Sequence, residues 1–350
     1  MVLGSLGGWL FSYLASPLPW MIGALVFTTI TSLSGAPLMR PKRLRVFVIP
    51  ILSVMLGASF TSDVLEHLQK WALSISALVV CALPVTAAVS YYLVRFAKWD
   101  VPTAYFSASP GGFSEMALLG EAMGADDRRI SLNHSVRIML TVRVIPFWFK
   151  FFEGCQPGNM DALGHFDEFA PKAAAILLTC AVAGYVIAKL LNFPAAQLLG
   201  PVILSAIVHM SGVTEARPPG ELVAAAQVVI GATIGCRFIG VSVRTVFGVM
   251  VQAGAITALM LATALAFAWG VSQVMGVSVT TLWLCFAPGG LAEMALISLS
   301  LGIDVAFVPV HHMVRVILLV SVAAFAFKLL EKVLSRIAVK NIPPPASPPN

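Results

Sequence analysis

Two stretches of this chain, 178 residues apart, repeat one another. PGGFSEMALLGEAMGADDRRISLNHSVRIMLTV starts at Pro110 and aligns without gaps on PGGLAEMALISLSLGIDVAFVPVHHMVRVILLV from Pro288, with 14 of 33 positions identical. Earlier positions agree as well. Pro17, Gly23, Ser34 and Gly35 fall on Pro194, Gly200, Ser211 and Gly212 at an offset of 177, and Gly57 and Phe60 fall on Gly235 and Phe238 at 178, so one inserted residue reconciles the two registers. A fold built from two copies of one unit is the first constraint. In this register Met1 aligns with Leu178, which leaves the first helix of the first copy short by roughly two turns, as a misassigned start codon would.

Apolar runs long enough to cross a bilayer, about 17 to 25 residues, recur through both copies. Apolar residues make up 59% of the chain and charged residues 11%, against about 45–50% and about 25% in soluble domains. These features predict an all-α, polytopic transmembrane bundle. The expected divisions are a first membrane repeat over 1–152, a central loop over 153–171, a second repeat over 172–331 and a disordered Pro-rich tail over 332–350. The net charge of +6 reads as loop charge that reports orientation, and nucleic acid is not an expected partner. The expected partners are the lipid bilayer and a small-molecule solute, with a homo-oligomer left open. The five cysteines, four of them within apolar segments, have no metal-ligand spacing, and neither metal nor cofactor is implied.

In the second copy the apolar elements fall at 172–191, 195–211, 222–238, 245–270, 279–302 and 305–329. The fifth contains Pro288, Gly289 and Gly290, and its counterpart contains Pro110, Gly111 and Gly112. Proline removes a donor and glycine weakens the helix, so both segments should break at membrane depth. Irregular backbone is tolerated there only when it is buried in protein or lines a wet cavity, which makes the breaks candidate sites. If the broken segments are re-entrant, each copy crosses five times and the copies are inverted. The count is then 15 Lys and Arg inside and four outside, whereas full crossing gives 13 and six. The positive-inside rule favours inversion, with a cytoplasmic C-terminus.

The break, the following Gly-x-Asp and an Arg eleven residues later resemble the AbrB duplication family of bacterial inner-membrane proteins. The resemblance covers nearly the whole chain. Its members carry two labels, regulator of gene expression and ammonia monooxygenase, and no HExxH or similar ligand motif here supports the enzymatic one.

Intramembrane ionisable groups are costly and usually face a cavity or a partner. They occur here in duplicate. Glu115 and Glu293 follow the breaks, while His134 and Arg137, like His312 and Arg315, are three residues apart on one helical face. These residues, with the two Pro-Gly-Gly breaks, are the candidates for substrate or ion binding. The bland alternative is that each Arg neutralises the Glu of its own copy. Asp126 and Asp304 suit helix N-caps, and Gly23, Gly57, Gly200 and Gly235 suit close helix packing. Broken helices, inverted repeats and midplane charge fit a secondary transporter of a small solute, for which a midplane Arg favours an anion, with gene regulation as an indirect consequence. A membrane sensor acting through a partner is the alternative.

Overall fold

A computed structural model describes residues 1–14, 16–39, 41–60, 63–111, 113–152, 166, 169–193, 196–304 and 306–339. The described residues are helical, with loops between. The first half contains α1 (Val2–Tyr13), α2 (Pro19–Leu33), α3 (Lys42–Gly57), α4 (Asp63–Arg95), α5 (Val101–Ala108), α6 (Phe113–Ala122) and α7 (Asp127–Phe152). The second contains α8 (Pro171–Leu190), α9 (Ala196–Met210), α10 (Gly220–Gly235), α11 (Val243–Met275), α12 (Val279–Phe286), α13 (Leu291–Ser300) and α14 (Phe307–Val339). The fifth apolar element of each half is thus two short helices, divided at the Pro-Gly-Gly break. α1 has 12 residues against 20 in α8.

Four described helical segments are long and apolar enough to span a membrane: Trp71–Arg95, Pro171–Leu190, Gly220–Phe238 and Val243–Met275. The two arms of α14, bent by 56° between Ala323 and Phe325, make a fifth if taken together. Leu178, Val182, Val186 and Leu190 of α8 are exposed at four-residue spacing, a stripe suited to lipid. One boundary differs from expectation: α14 continues to Val339, well beyond residue 331. KVLSRIAV consists mostly of residues that helices accept, and no proline intervenes before Pro343. Residues 340–350 lie outside the described set, as does nearly all of the central loop.

The halves interleave. α2 packs on α1 and on α10, and α9 packs on α8 and on α3, so the third helix of each half lies against the second helix of the other. Glycines permit these approaches. A Cβ on Gly23 would strike the Gly7 carbonyl, and one on Gly200 would strike the Gly184 carbonyl. A Cβ on Gly57 would lie 2.6 Å from the Val202 carbonyl oxygen, and one on Gly235 would lie 2.8 Å from that of Leu25. Hydroxyls tie the same seams, with Ser205 donating to the Val54 carbonyl at 2.8 Å and Ser32 to that of Gly235 at 3.1 Å.

The remaining helices carry two hairpins. Thr103, in the first turn of α5, accepts a hydrogen bond from the backbone N–H of Asp126, just after α6, at 2.8 Å. Arg129 lies over the Trp99 ring at 5.8 Å. A segment that crossed the membrane would hold its two ends some 30 Å apart, so α5 and α6 turn back. The second hairpin follows the same course: α12 runs alongside α14 in the same direction, with Leu284 bonded to His312 and Ala287 to Arg315. The start of α12 is therefore level with the start of α14, and α13 brings the chain back.

The hairpins approach the centre from opposite ends. Eleven residues beyond His312, or about 16 Å along α14, the Ala323 carbonyl accepts from the Tyr105 hydroxyl of α5 at 3.0 Å. α7 makes the reciprocal passage, from Phe106 beside His134 to Trp283 of α12 beside Trp148 and Phe149. At the centre Pro110 and Pro288 border one small void.

Candidate functional site

Each hairpin begins with a capped half-helix. Asp100 accepts from the Thr103 N–H at 3.0 Å, and Ser278 accepts from that of Thr281 at 3.2 Å. Each half-helix ends because the residue before proline is forced out of the helical region. Ser109 and Ala287 are extended, with ψ of 126° and 140°. The last carbonyls of both half-helices consequently lack intrahelical donors inside a packed core.

Side chains of α7 and α14 supply the missing donors. In the first hairpin His134 Nε2 lies 2.9 Å from the Phe106 carbonyl, Asn133 donates to Ser107 at 3.2 Å, and Arg137 donates to Ser109 at 3.3 Å. In the second, His312 Nε2 lies 2.9 Å from the Leu284 carbonyl, and Arg315 donates to Ala287 and to Gly289, both at 2.7 Å. A carbonyl can only accept, so Nε2 carries the hydrogen in both histidines. The guanidinium groups sit where the negative end of a helix dipole favours a cation. Both arginines are only 3% exposed, and this explains how each cation persists there without a carboxylate partner among the described residues.

The alternative reading of the sequence, with Glu293 neutralising Arg315, is not realised. Glu293 has no ion-pair partner among the described residues, whereas Arg129 and Asp126 pair at 3.2 Å. A Cβ on Gly290 would instead strike the Glu293 carboxylate, which curls back over the start of α13. Gly112 and the side chain of Glu115 lie outside the described residues. Gly111 and Gly289 make room for Met116 and Met294, whose side chains occupy the space a Cβ would need. Asp126 accepts from the Arg129 N–H at 3.1 Å and Asp304 from that of Phe307 at 3.0 Å, so both carboxylates cap helix starts.

One large cavity, of about 1100 Å³, reaches this centre. Gly111 and Arg137 of the first hairpin region form one wall, and Gly289 to Glu293 of the second form another. Leu291 and Ala292, in the first turn of α13, line this wall, and the amides of a first helical turn lack intrahelical acceptors. Five cations, Arg45, Arg128, Arg137, Lys189 and Arg237, line the cavity, against the two carboxylates of Asp127 and Glu293 among the described residues. Four of those cations were not singled out as site residues from the sequence, where loop-edge Arg and Lys are read as orientation signals. Arg237, within the apolar GCRFIG, was the one with a visible clue. The arrangement suits a small anion: an N-terminal half-helix, a buried guanidinium and an excess of positive charge converge on one space.

The chain is 30% identical over 360 residues to the uncharacterized protein YhjN of Bacillus subtilis (strain 168), covering 94% of this chain and 92% of that one. It is 26% identical over 303 residues to the protein named "Putative regulator AbrB" in Escherichia coli (strain K12), covering 85% and 86%. Residues 20–331 match the family described as "Transition state regulatory protein AbrB", and the chain belongs to that family.

Proposed function

We propose that this protein is a secondary transporter of a small anionic solute in the bacterial inner membrane, with its two halves inverted and its C-terminus in the cytoplasm. The observation that carries this reading is the pair of half-helix hairpins entering from opposite ends and meeting beside a cationic cavity. Half-helix ends near a membrane's midplane provide polar groups for substrate without a polar surface facing lipid. With Arg45, Arg128, Lys189 and Arg237 on the cytoplasmic side, the cavity opens inward and the positive-inside rule is obeyed. The reading is of a carrier rather than an enzyme, and changes in gene expression follow from altered solute levels.

The test is uptake into proteoliposomes, with small carboxylates, phosphate and sulfate offered singly. Saturable uptake of at least one anion, lost in Arg137→Gln, is the expected result. The regulatory name of the E. coli relative favours a second reading, a sensor that signals through a partner, and binding of an anion without flux would select it. Topology has its own check. A membrane-impermeant maleimide should label Cys155 in intact cells when the other cysteines are removed, and should label Lys98→Cys only after lysis. Labelling of both from one side would overturn the inverted arrangement.

A further inference from the structure

The start of α13 is already occupied. Glu293 bends its carboxylate over Gly290, the N-cap residue, into the space a Cβ would fill there. It lines the cavity, is partly exposed, and makes no hydrogen bond or ion pair with any described residue, although five cations share that space. Its negative charge gains from the helix dipole. Any anion drawn to the same amides meets that charge at close range. Across the cavity wall Arg137, 3% exposed, has a buried Nε without a partner, as Arg315 does behind the break, but of the two only Arg137 lines this cavity. A donor left idle at such burial is costly unless something else fills it.

We propose that Glu293 is the proton-coupling residue of an anion site formed by Arg137 and the first turn of α13. This rests on the anion-binding reading above and adds the coupling ion to it. With Glu293 ionised, the half-helix end is screened by the protein's own carboxylate. Protonation removes that charge and lets the carboxyl swing away, and one anion takes its place. The balance is one proton and one monovalent anion bound together, with the proton on the Glu293 carboxyl oxygen and the net charge of the site unchanged. By linkage, anion binding draws a proton onto Glu293 as strongly as the proton favours the anion.

The groups facing Glu293 across the cavity are Asp127, Arg128 and Arg137 of α7, Arg45 of α3, Tyr185 and Lys189 of α8, and Arg237. Of these only Asp127 is a second carboxylate. On α14, packed against α13, His312 and Arg315 bond to carbonyls behind the break and His311 bonds to Ser74 at 2.8 Å. Asp127→Asn is therefore the control.

Binding of pyruvate, a monocarboxylate that stays ionised throughout, and of sulfate is measured on the full-length protein in lipid nanodiscs between about pH 5 and pH 8. The expected wild-type affinity for pyruvate weakens with rising pH, by up to about tenfold per unit for one coupled proton. Glu293→Gln should bind equally well at all pH values, near the acidic limit of the wild type. Asp127→Asn should keep the wild-type slope, and Arg137→Gln should weaken binding at least tenfold throughout. A folded Glu293→Gln protein that keeps the slope or loses binding overturns the proposal, as does failure of both anions to bind the wild type at every pH. Flat binding by Glu293→Gln with no uptake by wild-type proteoliposomes upholds the proton-linked site and sinks the transport reading alone.

Discussion

The two hairpins carry the same residues and hold them differently. Arg315 grips the second hairpin with two bonds of 2.7 Å, one to each side of Pro288. Arg137 reaches the first hairpin through a single bond of 3.3 Å and turns its other terminal nitrogen to His134 Nδ1 at 3.2 Å. Where Arg137 leaves a carbonyl to Asn133, His311 at the matching position turns to Ser74 on α4. Arg137 lines the large cavity, while Arg315 is absent from its lining and borders the small void between the prolines. Equivalent positions have thus divided their labour: one arginine fastens a break and the other remains available to a ligand.

The sharpest way to break this comparison is to remove each arginine in turn. Arg315→Gln forfeits two charge-assisted bonds, and at about 1.5 to 3 kcal/mol each the expected loss is roughly 3 to 6 kcal/mol, read as a large fall in melting temperature in detergent or failure to accumulate. Arg137→Gln gives up two longer bonds, to Ser109 at 3.3 Å and to His134 at 3.2 Å, and should cost about 2 kcal/mol, leaving a folded protein that no longer binds anions. Equal losses in the two variants would mean that the hairpins are interchangeable.

The caps sharpen the comparison from the other side, because here the halves should behave alike. Asp126→Ala and Asp304→Ala each remove one carboxylate acceptor at a helix start and should each destabilise by about 1 kcal/mol. The Arg129 pairing adds little to Asp126, since both side chains are about half exposed (54% and 44%). Melting curves of the two variants within a few degrees of each other are expected, and a much larger loss for one would assign it a role beyond capping.

The smallest expected effect is a coupling near zero. Because Arg315 bonds to carbonyls and Glu293 curls over Gly290, Glu293→Gln and Arg315→Gln should add within about 0.5 kcal/mol in a double-mutant cycle. A coupling of several kcal/mol would restore the buried ion pair that the sequence suggested as an alternative.

Much of this was legible in the residues. The breaks followed from Pro110 and Pro288 with their glycines, the caps from Asp126 and Asp304, and the close packing from Gly23 and Gly200. The partner of Arg315 was not legible, because backbone carbonyls have no letter of their own and only the fold decides where they end up unbonded. The sequence favours re-entrance by a margin of only two basic residues, whereas in the fold the Asp126 N–H bonded to Thr103 brings the two ends of the hairpin together. The difference between Arg137 and Arg315 is invisible at the level of sequence, since both stand in the same His-x-x-Arg setting and differ only in geometry.

The interleaving of α2 with α10 and α3 with α9 bears on how the chain is assembled. When the first seven helices have left the translocon, Gly57 and the polar face of α2 around Thr28 and Ser32 have no protein to meet, because their partners are still being synthesised. Those faces must wait in lipid, or against a chaperone, until the second half arrives. Neither half is then a foldable unit by itself. Expressed as separate polypeptides, the two should be degraded singly and rescued together.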